Sequence, residues 1–201
     1  MRRAVARPVV AVLALAMLAA CAGTDLRPPE RLTIPPVADA PALRRGAGIP
    51  DCAAASGAVP VPGGLPDLTL ACLGGDTDVR LAALRGPMLV NLWAVWCAPC
   101  RVEGPHLAAF AVAAQGKVTM VGVDTADPDP AVSARFAGSV GWTYQQLQDP
   151  NRDLATALGS PGLPVTLFVD AQGRVVYRKV GAFGSAQQVR DLVAEHLSVT
   201  V

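Results

Sequence analysis

Cys97 and Cys100, separated by Ala98 and Pro99 and preceded by Trp96, are the residues whose type and spacing bear most directly on chemistry. Two thiols one helical turn apart can close and open a disulfide, and the thiolate rather than the thiol attacks. The apolar run at residues 88–95 reads as a buried strand that enters the pair, so the cysteines fall at a strand-to-helix junction. There Cys97 meets unsatisfied backbone N–H groups and the positive end of the helix dipole, both of which favour its anion. Cys97 is therefore expected to attack, and Cys100, one turn deeper, to resolve the mixed disulfide. Pro99 fits a first turn whose N–H groups have no helical acceptor. Nothing cationic lies between the cysteines. A thiolate stabilised mainly by the helix end, and a mild reductant rather than a strong oxidant, is the expectation. Trp96 either covers one side of the pair or is an aromatic with no redox part.

The elements that must position the pair follow a βα alternation. Short opening strands are expected at residues 68–72 and 78–81, the buried strand at 88–95, and a helix from Cys97 to about residue 114. Pro105 lies inside that helix, where it removes a hydrogen bond and kinks the axis. A second buried strand at 117–123 leads to a turn-rich segment at 124–130, a helix over 131–137 and a short helix over 151–158. Residues 165–170 and 174–180 are strands joined too closely for a crossover, which makes them an antiparallel hairpin at a sheet edge. Ser185 with Gln188 three residues on is a capping box that opens a last helix at 186–197. No internal repeat is present.

The first 66 residues read differently. Arg2, Arg3 and Arg7 precede an apolar run at residues 8–20 that ends in small residues before Cys21, the pattern of an export signal. Thirteen apolar residues fall short of the roughly 20 a spanning helix needs. Leu18-Ala19-Ala20-Cys21 resembles a bacterial lipobox, which implies a lipidated Cys21 as first residue of the mature chain; a plain secretory signal is the alternative. Residues 1–20 are thus expected to be a signal peptide and residues 21–50 a lipidated start and proline-rich, semi-extended tether. Residues 51–201 form the folded domain. Without the three signal arginines, 14 basic face 16 acidic residues. That balance offers nothing to nucleic acid.

Asn91-Leu92-Trp93-Ala94-Val95-Trp96-Cys97-Ala98-Pro99-Cys100-Arg101, then Glu103 and Pro105, then Gly162-Leu163-Pro164-Val165-Thr166, resemble the membrane-tethered, extracytoplasmic branch of the thioredoxin superfamily, the TlpA/ResA-like proteins. Cys52, Cys72 and the phrase at residues 68–75 look most like actinobacterial members. The resemblance implies an α/β, thioredoxin-like three-layer sandwich: a central mixed sheet with a parallel core, a C-terminal antiparallel hairpin and flanking helices. It also implies that Pro164 is cis against the cysteine pair and that Leu163 offers its backbone to an extended substrate. Asn91 stands where cytosolic thioredoxins commonly carry a buried Asp that moves the resolving cysteine's proton. Glu103 matches an acidic position frequent in the tethered branch, so it either tunes the site and accepts a proton or is a solvated helix-face carboxylate.

Cys52 and Cys72 flank Pro60-Val61-Pro62-Gly63-Gly64 and are expected to close a structural disulfide onto the opening strand. A second redox pair is disfavoured because neither lies at a helix end, and a four-cysteine zinc site because such sites draw on two close pairs. His106 and His196 read as surface residues, and Asp124, Asp127 and Asp129 as a solvated turn without the glycine and glutamate of a calcium loop. No metal or cofactor is expected. The function expected is thiol–disulfide exchange with cysteine-containing exported or membrane proteins, at the outer face of the cell membrane or secreted. A membrane electron-transfer protein would act as redox partner, and reduction of apocytochrome c is one role the resemblance implies. A non-catalytic adaptor or redox regulator of a membrane partner is the alternative, against which the retained cysteines speak.

Overall fold

The computed structural model describes residues 31–32, 39–54 and 57–201. Its strands are β1 Thr69–Cys72, β2 Asp78–Arg80, β3 Met88–Trp93, β4 Thr119–Thr125, β5 Gln145–Asp149, β6 Val165–Val169 and β7 Val175–Val180. Its helices are α1 Ala40–Gly46, α2 Ala98–Ala113, α3 Pro130–Ser139, α4 Asp153–Ala157 and α5 Ala186–Leu197. The seven strands form one sheet in the order β2-β1-β5-β4-β3-β6-β7. β3, β4 and β5 run parallel, while β6 opposes β3 and β7 opposes β6. At the other edge β1 is antiparallel to both β5 and β2. This is the mixed, thioredoxin-like sheet expected from the motifs.

Alternation along β3 divides the core, because successive side chains point to opposite faces. Leu89 and Trp93 join Leu107 and Phe110 of α2, Ala134 and Ala137 of α3, and Val189 and Val193 of α5. Met88, Val90 and Leu92 face the other way, onto Leu70, Val79, Leu81 and Leu154. Each large side chain so buried stabilises the fold by roughly 1.5–3 kcal/mol. Asn91 shares the face of Leu89 and Trp93, which turns its amide toward α2.

Two elements depart from the expected layout. β5 was not anticipated, since Gln145, Gln146 and Gln148 suggest a surface, yet all five of its residues are buried. Two of its three amides find partners: Gln145 Oε1 accepts from Ala53 N–H at 3.0 Å, and Gln146 Oε1 accepts from Trp93 Nε1 at 3.0 Å, while Gln148 Nε2 is left without one among the described residues. Gly122 on neighbouring β4 makes room for the second of these, because a Cβ there would overlap the Gln146 amide. Gly122→Ala is accordingly expected to lower stability by about 1–3 kcal/mol. Urea denaturation checks this, and an unchanged midpoint would refute the steric account.

The second departure is α1, in the segment expected to be an extended tether. It packs on α3, with Leu43 and Ala47 against the α2 side of the core. Arg44 is buried, donates to Ile49 C=O and pairs with Asp51 at 2.9 Å. Ile49 is also buried. Part of the segment expected to be tether is therefore packed on the domain, because helix and apolar anchors together offset the ordering entropy that the prolines alone could not. Cys21 and most of the tether lie outside the described residues. No helix of the described residues is long and apolar enough to cross a membrane.

Candidate redox site

Cys97 is the N-cap of α2, and its sulfur accepts from Cys100 N–H at 3.2 Å. The helix start thus aims an otherwise orphaned amide at the sulfur, which is the interaction that favours a thiolate there. Pro99 sits in the first turn as expected. The two cysteines are joined in a disulfide, with Cα atoms 5.3 Å apart, and both are buried. Trp96 beside them is 58% exposed, so it belongs to the surface around the pair rather than to the core. The Leu163–Pro164 bond is cis; Pro164 is buried and its carbonyl accepts from Gly181 N–H at 2.9 Å. Leu163 packs partly buried between the two core clusters.

Further along α2, one turn past Cys100, lies a buried polar network. Glu103 is fully buried, not a solvated carboxylate of the helix face. Asn91 Nδ2 donates to Glu103 Oε1 and to Thr166 Oγ1, each at 2.9 Å, while Phe183 N–H donates to Glu103 Oε2 at 3.0 Å. Burial raises the Glu103 carboxyl to about 7; the Asn91 and Phe183 hydrogen bonds and the Lys179 charge hold it from rising further. Lys179 itself donates to Gly181 and Ala182 carbonyls and has its own pKa lowered by burial. Asn91 Oδ1 has no partner. It is a ready acceptor for a protonated Glu103 once the amide makes a half-turn.

Asp124 and Asp127 are not part of a solvated turn. Asp124 is a buried strand residue whose carboxyl is pushed well up by burial and by Asp127 beside it; Asp127 is itself buried and accepts from Val95 N–H at 2.6 Å. Ala126 between them has φ 63°, a left-handed conformation that costs a residue with a Cβ about 1–2 kcal/mol. Only Asp129 stays exposed, capping α3. In the next peptide group, Arg101 Nη1 donates to the Val95 carbonyl at 2.8 Å. Sequence reasoning missed Asp127, Thr166 and Arg101 as neighbours of the site; the acidic residue soon after the strand that flanks the motif strand was the one signal available. His196 also differs from expectation, being half-buried and stacked on Tyr177 with ring centroids 3.8 Å apart.

Cys52 and Cys72 form a second disulfide, Cα atoms 5.7 Å apart, on the face of the sheet opposite α2. The four sulfurs are therefore engaged as two separate pairs. Among the described residues no group of His, Cys, Asp and Glu is placed to hold a metal ion.

Residues 63–178 match the model of the AhpC/TSA family. The chain belongs to that family. Among relatives of this AhpC/TSA protein, the thiol:disulfide interchange protein DsbE of Pseudomonas fluorescens is 34% identical over 65% of this chain and 72% of its own. The thiol:disulfide interchange protein HelX of Rhodobacter capsulatus is 38% identical over 53% of this chain and 57% of its own. A solved structure of a secreted Mycobacterium tuberculosis disulfide oxidoreductase, homologous to E. coli DsbE, superposes with a TM-score of 0.57 at 25% identity. It covers 64% of this chain and 96% of its own.

Proposed function

We propose that this AhpC/TSA protein exchanges disulfides with exported proteins through the Cys97–Cys100 couple while tethered at the outer face of the membrane. The chain is a thioredoxin-like thiol–disulfide oxidoreductase. The observation that carries the reading is the Cys97 sulfur held on the Cys100 amide at the start of α2. In the reducing direction the Cys97 thiolate attacks a client disulfide, forming a mixed disulfide and expelling the client's other sulfur as a thiolate. Cys100 then attacks the Cys97 sulfur; the client leaves with both thiols and two electrons, and the disulfide seen in the structure remains. A membrane dithiol protein returns the electrons. Buried Glu103, on the same helix one turn past Cys100, takes the resolving cysteine's proton in place of the acid that Asn91 displaces. Trp96, Leu163 and Pro164 form the surface on which an extended client lies, cytochrome c precursors being one such class. The tether and the lipid on Cys21 are supported by the lipobox-like residues 18–21 and the export pattern before them.

The reduction potential of the Cys97–Cys100 couple, measured with Cys52–Cys72 kept closed, tests the direction. A value near about −270 mV is expected for a reductant, whereas one near about −120 mV would make the protein an oxidant. Cys52–Cys72 acts as a staple. Replacing both residues by Ala is expected to cost roughly 3 kcal/mol in urea denaturation, by the loop-entropy estimate for a closure of this length, with exchange activity kept. Loss of exchange with stability intact would instead make it a second redox couple.

A further inference from the structure

The turn that presents Cys97 is held by two charged side chains from different elements. Cys97 N–H closes it on Ala94 C=O at 3.2 Å, which leaves Val95 and Trp96 at its centre. Trp96 is mostly exposed, so packing of its side chain does little to fix the turn. The Val95 peptide groups do this instead: the N–H donates to Asp127 from the β4–α3 loop, and the carbonyl accepts from Arg101 of α2. Ala126, held left-handed with its N–H on Asp149 C=O, turns the chain so that Asp127 reaches across to Val95. A strained residue placed beside a functional turn is where such a constraint is to be looked for.

We propose that Asp127 and Arg101 are positioning residues for the nucleophile, clamping the two peptide groups that flank Val95 and so keeping the Cys97 sulfur over the Cys100 amide. This rests on Cys97 being the attacking thiolate. The groups that face Asp127 are Val95 N–H from the motif turn and buried Asp124 from β4, with Asp149 of β5 and Ser133 of α3 acting on Asp124. Arg101 meets the clamp from the exposed side.

Alkylation of the reduced protein by iodoacetamide from pH 5 to 9, with the Cys97 adduct counted by mass spectrometry, reads the thiolate without any client. Asp127→Asn removes the charge but keeps an oxygen for Val95 N–H; Asp127→Ala removes both. At pH 7 the Ala variant is expected to react about tenfold more slowly than the Asn variant, the effect of a Cys97 pKa higher by about one unit. Arg101→Ala is expected to move the same way by about threefold. Equal rates in the Ala and Asn variants would overturn the clamp, even with disulfide exchange intact. Should Asp127→Ala fail to fold, Arg101→Ala decides alone, and wild-type alkylation in it would overturn the clamp. An unmutated protein that cannot exchange disulfides refutes the functional reading instead, and leaves the alkylation contrast to be judged by itself.

Discussion

Cys97→Ser is expected to reduce catalysed insulin-disulfide reduction to the buffer background, whereas Cys100→Ser accumulates a mixed disulfide between Cys97 and the client. The asymmetry follows from the helix end. Only Cys97 is the N-cap with an amide directed at its sulfur; Cys100 lies within the helix and is fully buried. A serine hydroxyl at 97 is largely protonated at neutral pH and forms no disulfide, so neither exchange nor the resolving step has a sulfur to pass through. Cys100→Ser keeps the first step and loses the second, because no thiolate remains to displace the client from Cys97. Non-reducing electrophoresis and intact-mass measurement separate the two variants. Catalysis retained by Cys97→Ser would sink the assignment of that sulfur. A trapped client on Cys100 in that variant would reverse the two roles.

Glu103 gives the second large effect, on stability against pH. Its carboxyl is raised from 4.5 in the unfolded chain to about 7 in the fold, chiefly by burial. Between these values the unfolded chain has lost the proton and the native state retains it. Stability therefore falls as pH rises through that window and levels off above it, by about 3 kcal/mol in all. Below the window both states are protonated and this contribution is complete. Glu103→Gln removes the titration, and Asn91 can meet the new amide by turning its unpartnered Oδ1 toward it. The variant is thus expected to lose this slope and to gain on the wild type by about 3 kcal/mol between pH 4.5 and 8. Urea midpoints at the two pH values check it. Parallel curves for the two proteins would show that Glu103 does not titrate in this range.

Where the patterns are local, the sequence announces the structure. Residues 88–95 are apolar on both faces as a covered parallel strand must be, and Ser185 caps α5 by accepting from Gln188 N–H at 3.1 Å. The reciprocal bond runs one residue earlier than the motif implies, from Gly184 N–H to Gln188 Oε1. Cys97, Cys100 and cis-Pro164 were likewise legible, the last through resemblance alone. What escaped depends on partners distant in sequence. Gln146 is tolerable in a buried strand because Trp93 from β3 donates to its oxygen, Tyr144 C=O accepts from its nitrogen and Gly122 yields space. α1 is two turns long and stands by packing on α3, since a helix of that length has little stability of its own. On α2 the apolar signal is misleading: Val102 and Val112 are exposed at 64% and 67% while Glu103 between them in chain order is buried. Periodicity therefore gave no means of choosing between a solvated and a buried carboxylate. Asp124 and Asp127 read as solvated for the same reason, their burial being set by where the loop folds back.

The Cys52–Cys72 disulfide has a mechanical consequence. A pull applied along the chain ahead of Leu32 first meets the two Leu32–Asn151 hydrogen bonds, then the packing of α1 on α3 and the Arg44–Asp51 pair, all non-covalent. It then reaches Cys52, where the covalent link hands the load to Cys72 on β1. Between that strand and β3, whose end leads into Cys97, stand β5 and β4. The staple thus ties the start of the folded chain to the β1 side of the sheet, two strands away from the one that leads into the exchanging sulfurs.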